Sequence, residues 1–144
     1  MSEIVYREFI MTTKEYLNRY RELDASINSL CDELAHWRAI ATRITPPDRH
    51  EGGNTTPSDK VGRAVAKIID LENRINTEID ILVDMRDDIR AKISAVDDAR
   101  LRQILAMRYI NFKRWEDIAD AMHTDLRWIY RLHGKALQKI KIDH

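Results

Sequence analysis

Few side chains in this sequence are grouped so that they could do chemistry, and those few gather near its end. Within RWEDIADAMHTDLRWIYRLHGKAL (residues 114–137), the order Arg127-Trp128-x-x-Arg131 sets two guanidinium groups one helical turn apart with an indole beside them. A guanidinium offers a flat fork of donors that fits O6 and N7 of guanine, and an indole can pack on a thymine methyl or a sugar. Lys113, Arg114, Tyr130, Lys135 and Lys139 surround them in the chain. These suit phosphate oxygens, which give affinity without sequence information. The chemistry these residue types and spacings point to is recognition of double-stranded DNA.

The remaining reactive side chains form no comparable group. His123 and His133 are ten residues apart on different elements, and each reads as a turn or helix-surface residue rather than half of a metal or catalytic pair. Asp84, Asp87 and Asp88 stand on adjacent turns of a solvated face and need no metal. Cys31 is the one cysteine, so no disulfide framework or zinc cluster can be built within the chain; it reads as a small apolar helix residue. There is no glycine-rich phosphate loop, no clustered ligand set and no nucleophile–base pair. The sequence therefore predicts neither an enzyme nor a cofactor.

The DNA-facing residues need elements to position them. Trp115, Ile118, Ala119 and Met122 share one face of a helix of about two turns. His123 and Thr124 interrupt it, and Asp125 is a good N-cap for the next helix. Ile129, Leu132, Ala136, Leu137 and Ile140 then continue an apolar stripe at helical spacing. A short helix, a turn of about three residues and a longer second helix make a helix-turn-helix. That stripe leaves Arg127, Trp128, Tyr130, Arg131 and Lys135 on the opposite face; Trp128, beside Ile129 and one turn before Leu132, also fits the rim of the core. Upstream, Asp97 is the expected N-cap of a helix over 98–110, which NFKR ends.

The first two thirds read as two long helices. Thr12 and Glu15 form a capping box ahead of a seam of Tyr16, Tyr20, Leu23, Ile27, Leu30, Leu34, Trp37 and Ala41, with spacings alternating 4 and 3. The helix should stop near Arg43, where ITPPDRHEGGNTTP follows. Thr56 as N-cap, Pro57 at the first position and Asp59 in the first turn start the second helix. Its seam is Val61, Val65, Ile68, Glu72, Ile75, Ile79, Leu82, Arg86, Ile89 and Ile93. The charged members Glu72 and Arg86 have apolar neighbours, Leu71 and Met85, able to take over the packing. The second seam exceeds the first by about 10 Å of helix, which needs the C-terminal module or a second subunit to cover it.

The expected fold is all-α. A long antiparallel coiled-coil helical hairpin (residues 1–96, loop 44–57) precedes a C-terminal three-helix helix-turn-helix domain (97–144). Composition agrees: 33% of residues are charged, with 4 Gly and 3 Pro in 144. Net charge is zero, but residues 1–99 carry 14 Lys and Arg against 19 acids, while 100–144 carry 10 against 5. A basic module on an acidic stalk is the footprint of a nucleic-acid binder whose stalk serves protein contacts. The first residues, MSEIVYREFI, lack the basic start and apolar run of a signal peptide. No window reaches the length of a membrane span. A cytoplasmic setting is expected.

LRQILAMRYINFKRWEDIADAMHTDLRWIYRLHGKALQKI resembles region 4 of bacterial sigma-70-type factors. Arg108–Tyr109, Glu116–Asp117–Ile118–Ala119 and Lys135–Ala136–Leu137–Gln138–Lys139–Ile140 stand in the places of that family's motifs. The resemblance implies a recognition helix of the kind that reads the −35 promoter element, with Arg127, Trp128 and Arg131 facing DNA, and a contact with RNA polymerase. Through MTTKEYLNRYRELDASINSL, ATRITPP, SDKVGRAVAKIIDLENRINTEID and RLHGKAL, the chain from Met11 onward also resembles a family of small phage and prophage proteins of Firmicutes akin to ArpU-type transcriptional regulators. This implies that residues 1–10 are an extension, or that Met11 is the usual start. Three positions depart from region 4. Arg114 replaces the usual Thr cap, Thr124 an apolar turn residue, and Trp128 a frequent Arg, so no base preference carries over. Region 2 is missing, which excludes a complete sigma factor. Two other readings fit the same elements: a small-terminase-like DNA-packaging protein, or a polymerase- or sigma-interaction module that does not read DNA. A homodimer through the stalk is compatible with all three.

Overall fold

The computed structural model describes residues 3–44 and 57–142, with side chains described over 12–43 and 59–142, and every element in it is helical. The expectation of an all-α chain holds among the described residues, which contain no strand. The elements are α1 (Glu3–Ile44), α2 (Pro57–Ser94), α3 (Ala99–Leu105), a π-helical turn (Ala106–Ile110), α4 (Trp115–Ala121) and α5 (Leu126–Lys139).

α1 extends further toward the N-terminus than its sequence suggests. Thr12 lies inside the helix rather than capping it, and Thr13 is buried. Nothing in MSEIVYREFI breaks a helix, so the capping box has no end to cap. α2 begins at Pro57 with Asp59 in its first turn, where a carboxylate meets the positive end of the dipole, and carries Lys92 in its last turn. Thr56 and the 45–56 connector lie outside the described residues.

Contacts divide the chain into two compact units, Met1–Leu23 with Leu82–His144, and Asp24–Ile81.

In the 24–81 unit, Ile27, Leu30 and Leu34 of α1 and Ala64, Leu71 and Ile75 of α2 are buried. The Arg38 guanidinium donates to the Glu72 carboxylate at 2.8 Å, an exposed pair worth well under about 1 kcal/mol. The inward line of α2 is Ala64, Ile68, Leu71, Ile75 and Glu78, with spacings of 4, 3, 4 and 3; Ala64, Leu71 and Ile75 are buried and Ile68 and Glu78 half-buried. It corrects the expected seam: Leu71 takes the inward place of Glu72, while Val65 (42% exposed) and Ile79 (39%) face outward. Leu71 can be dehydrated at no electrostatic cost and a carboxylate cannot, so the helix is rolled toward its neighbour. Glu78 retains part of that cost. It pairs with Arg74 at 3.5 Å, yet its Oε2 is buried without a hydrogen-bond partner among the described residues. Cys31 is exposed rather than packed.

In the other unit, one apolar core joins residues 16–20 of α1, the end of α2 and the helices that follow. Leu17 and Tyr20 pack in the same cluster as Ile89, Ile93, Val96, Leu101, Ile104, Leu105, Ile118, Ile129, Leu132, Leu137 and Ile140. Leu17 lies off the predicted seam yet is 0% exposed. More than one element packs over this part of α1, so a wider arc of the helix is buried than a two-helix seam requires.

After α2, the chain turns through Ala95 and Val96, whose carbonyl accepts from the Arg102 guanidinium at 2.6 Å. Asp98, not Asp97, caps α3, accepting from the Arg100 amide at 2.9 Å and the Leu101 amide at 3.4 Å. The Arg100 amide leads in holding the Asp98 carboxyl below its ordinary value. Asp97 instead pairs with Lys139 at 3.3 Å.

The predicted 98–110 helix is α3 continued by the π turn, where the Asn111 amide donates to the Ala106 carbonyl. Phe112 follows in the left-handed region, φ 56°, which is rare for a bulky side chain. Its ring is held 5.4 Å from that of Tyr20, with Arg21 5.7 Å away over its face. These contacts with α1 offset the strain.

Candidate functional site

The face that sequence reasoning singles out is set by two local devices around the α4–α5 turn. α4 ends in a Schellman arrangement: the Thr124 amide donates to the Ala119 carbonyl at 3.1 Å, and the His123 amide to the Asp120 carbonyl at 3.2 Å. His123 takes the left-handed position, φ 54°, where glycine is usual. Asp125 then caps α5, its carboxylate accepting from the Trp128 amide at 2.8 Å. Together they define the direction in which the first turn of α5 leaves the turn.

α5 packs against α3 and α4. Ile129, Leu132, Ala136 and Leu137, with Ile140 just beyond, are at most 3% exposed, as their spacing predicts. Arg127, Arg131 and Lys135 follow at intervals of four on the opposite side, forming one exposed row. Trp128 and Tyr130 flank that row, 39% and 48% exposed. Arg127, Arg131 and Lys135 make no ion pair among the described residues. Their guanidinium and ammonium donors are therefore open to an external acceptor.

The other basic candidates stand differently. Lys113 and Arg114 are exposed on the segment before α4. The Arg114 guanidinium lies 3.2 Å from Asp117, and Lys139 at the end of α5 lies 3.3 Å from Asp97. Such exposed pairs contribute little. Arg114 provides no side-chain cap to α4; Glu116 and Asp117 in the first turn favour the helix electrostatically instead.

Beneath the row, a polar group is sealed in the core. His133 was expected on the surface but is 8% exposed. Its Nε2 lies 2.6 Å from the Tyr109 hydroxyl, and its ring stacks on that of Tyr109 at 5.7 Å and meets that of Trp115 edge-on at 4.5 Å. Burial chiefly, with help from the Lys14 and Arg108 charges, lowers its pKa to about 4. Burial pushes Tyr109 up to about 12. At neutral pH the pair is uncharged, and each partner satisfies the other. A signal was present in the sequence: His133 falls four residues from both Ile129 and Leu137, on the inward stripe.

Trp115 links this pair to the outer face. Arg108 lies 4.5 Å over its ring and donates to the Lys113 carbonyl at 3.0 Å, while Tyr130 meets the indole edge-on at 5.6 Å. Tyr130 is thereby positioned by packing rather than free to sweep the surface.

Among the described residues, no helix is long and apolar enough to cross a membrane, and no three His, Cys, Asp or Glu side chains are placed to hold a metal ion. Set against protein-family models, curated proteins and solved structures, the chain shows no match to any of them.

Proposed function

We propose that the protein is a sequence-specific DNA-binding transcriptional regulator of phage or prophage type, acting in the cytoplasm of a bacterial host. In this reading, α3, α4 and α5 form the three-helix, sigma-region-4-like helix-turn-helix, and α1 and α2 form an antiparallel coiled-coil stalk for protein contacts. α5 enters the major groove by its capped first turn. Arg127, Trp128 and Arg131 contact bases. Lys113, Arg114, Tyr130, Lys135 and Lys139 contact phosphates. The single observation that carries the reading is the row of Arg127, Arg131 and Lys135, which makes no ion pair among the described residues and stands opposite the buried stripe of a capped helix.

The test is fluorescence anisotropy with random duplexes and with duplexes selected for binding, across a salt series. The full chain should bind with an affinity that falls steeply with salt. Arg127→Ala with Arg131→Ala should weaken the selected duplex by about 10-fold or more per arginine and erase its preference over random DNA, with circular dichroism unchanged. Absence of salt-sensitive binding to any duplex at low salt would overturn the proposal.

One observation favours a second reading, a polymerase- or sigma-interaction module that does not read DNA. Trp128 and Tyr130 are exposed aromatics beside two arginines, the composition of a protein-binding hot spot. In that case the double arginine variant loses the protein partner, and wild type shows no DNA preference to lose.

A further inference from the structure

The outward face of α2 carries a second apolar seam that is exposed among the described residues. α2 is one uninterrupted helix from Pro57 to Ser94, so spacing alone assigns its faces. Val65, Ile69, Glu72, Asn76, Ile79 and Val83 follow at intervals of 4, 3, 4, 3 and 4, a heptad pattern separate from the buried line. Its four apolar members are 42%, 50%, 39% and 51% exposed. They do not gather at one end: two precede and two follow the polar pair, over about 27 Å of helix.

The order of side chains is a near-palindrome, Val-Ile-Glu-Asn-Ile-Val. An antiparallel copy of the same helix, related by a two-fold axis at residue 74, places Val65 opposite Val83 of the second copy and Ile69 opposite Ile79 of the second copy. It also places Glu72 opposite Asn76 of the second copy. The Asn76 amide can then donate to the Glu72 carboxylate, whose Oε1 already accepts from Arg38 and whose other oxygen has acceptor capacity left. A parallel copy would instead put two Glu72 carboxylates face to face, a repulsive pairing. A polar residue in an apolar seam is a well-attested selector of register and partner.

We propose that this seam is a homodimer interface in which two α2 helices pair antiparallel about residue 74. The contact is isologous, so it closes at two copies. The inference concerns α2 alone and is independent of the DNA reading, which can fail without affecting it.

Sedimentation equilibrium of the full chain should give twice the 17.0 kDa chain mass at micromolar concentration. Ile69→Asp with Ile79→Asp should return the mass to one chain with helicity retained, because both side chains are exposed, and the melting temperature should lose its dependence on protein concentration. Orientation is read separately in a Cys31→Ser background. Val65→Cys and Val83→Cys proteins, mixed and oxidised, should cross-link to each other, and neither should cross-link efficiently to itself. A monomer at every concentration would leave the seam to some other protein and overturn the proposal. So would an assembly insensitive to the double aspartate variant, or preferential Val65→Cys self-cross-linking.

Discussion

Lowering the pH should destabilise the protein through one buried residue, His133. In the unfolded chain its imidazole titrates near the ordinary 6.5, and in the fold it titrates near 4. Above 6.5 it is neutral in both states, and its contribution to stability is complete. As pH falls through 6.5, the unfolded chain takes up a proton that the folded chain refuses. Stability is therefore lost progressively, until the folded form also protonates near 4. The gap corresponds to about 3 kcal/mol at about 1.4 kcal/mol for each tenfold change. That is a large part of the about 5–15 kcal/mol that holds a typical domain together. Urea unfolding followed by circular dichroism between about pH 7.5 and 4.5 measures it. His133→Leu is the reference. At neutral pH the variant should be less stable than wild type by about 1–3 kcal/mol, because the Tyr109 hydroxyl loses its buried partner. Toward pH 4.5 the difference should close or reverse, since leucine has no proton to take up. Adding Tyr109→Phe to His133→Leu should recover part of the neutral-pH loss by removing the orphaned hydroxyl. Asp98, also shifted downward, loses its contribution only as pH falls below its ordinary 3.8, outside this window. A wild-type-minus-variant difference that stays constant from pH 7.5 to 4.5 would refute the assignment of the proton to His133.

Two further outcomes test the scaffold. His123→Gly should raise stability by about 1 kcal/mol, seen as a higher melting temperature, since the left-handed position after α4 costs a side-chain-bearing residue about that much. Leu17→Ala should cost about 2–5 kcal/mol and should loosen α3–α5 as well as α1, because Leu17 is fully buried in their shared core; amide exchange over 99–140 reads this directly.

Much of the outer face of α5 was legible because it follows from local rules. Asp125 has the side chain and position of an N-cap, and Ile129, Leu132, Ala136, Leu137 and Ile140 mark the inward stripe, so Arg127 and Arg131 fall outward by elimination. The long helices were legible for the same reason. Asp97 and Asp98 were not distinguishable this way: both are competent caps one residue apart. Which one turns to the Arg100 amide depends on where α2 ends and on Lys139 arriving to pair with the other. The heptad of α2 was ambiguous in kind. Two apolar lines run side by side on one helix, and periodicity cannot say which meets α1.

Sequence by itself determined what depends on neighbours within a turn or two: helix content, the capped start of α5, the apolar stripe beneath its basic row, and the charge asymmetry between the two ends of the chain. Tertiary structure alone decided which line of α2 is buried, that Leu17 serves the core around α3–α5, that Phe112 is held left-handed by Tyr20 and Arg21, and that His133 is sealed against Tyr109 and Trp115. Each of these is a contact between residues far apart in the chain. Its energy comes from excluding water between surfaces whose meeting no local periodicity encodes.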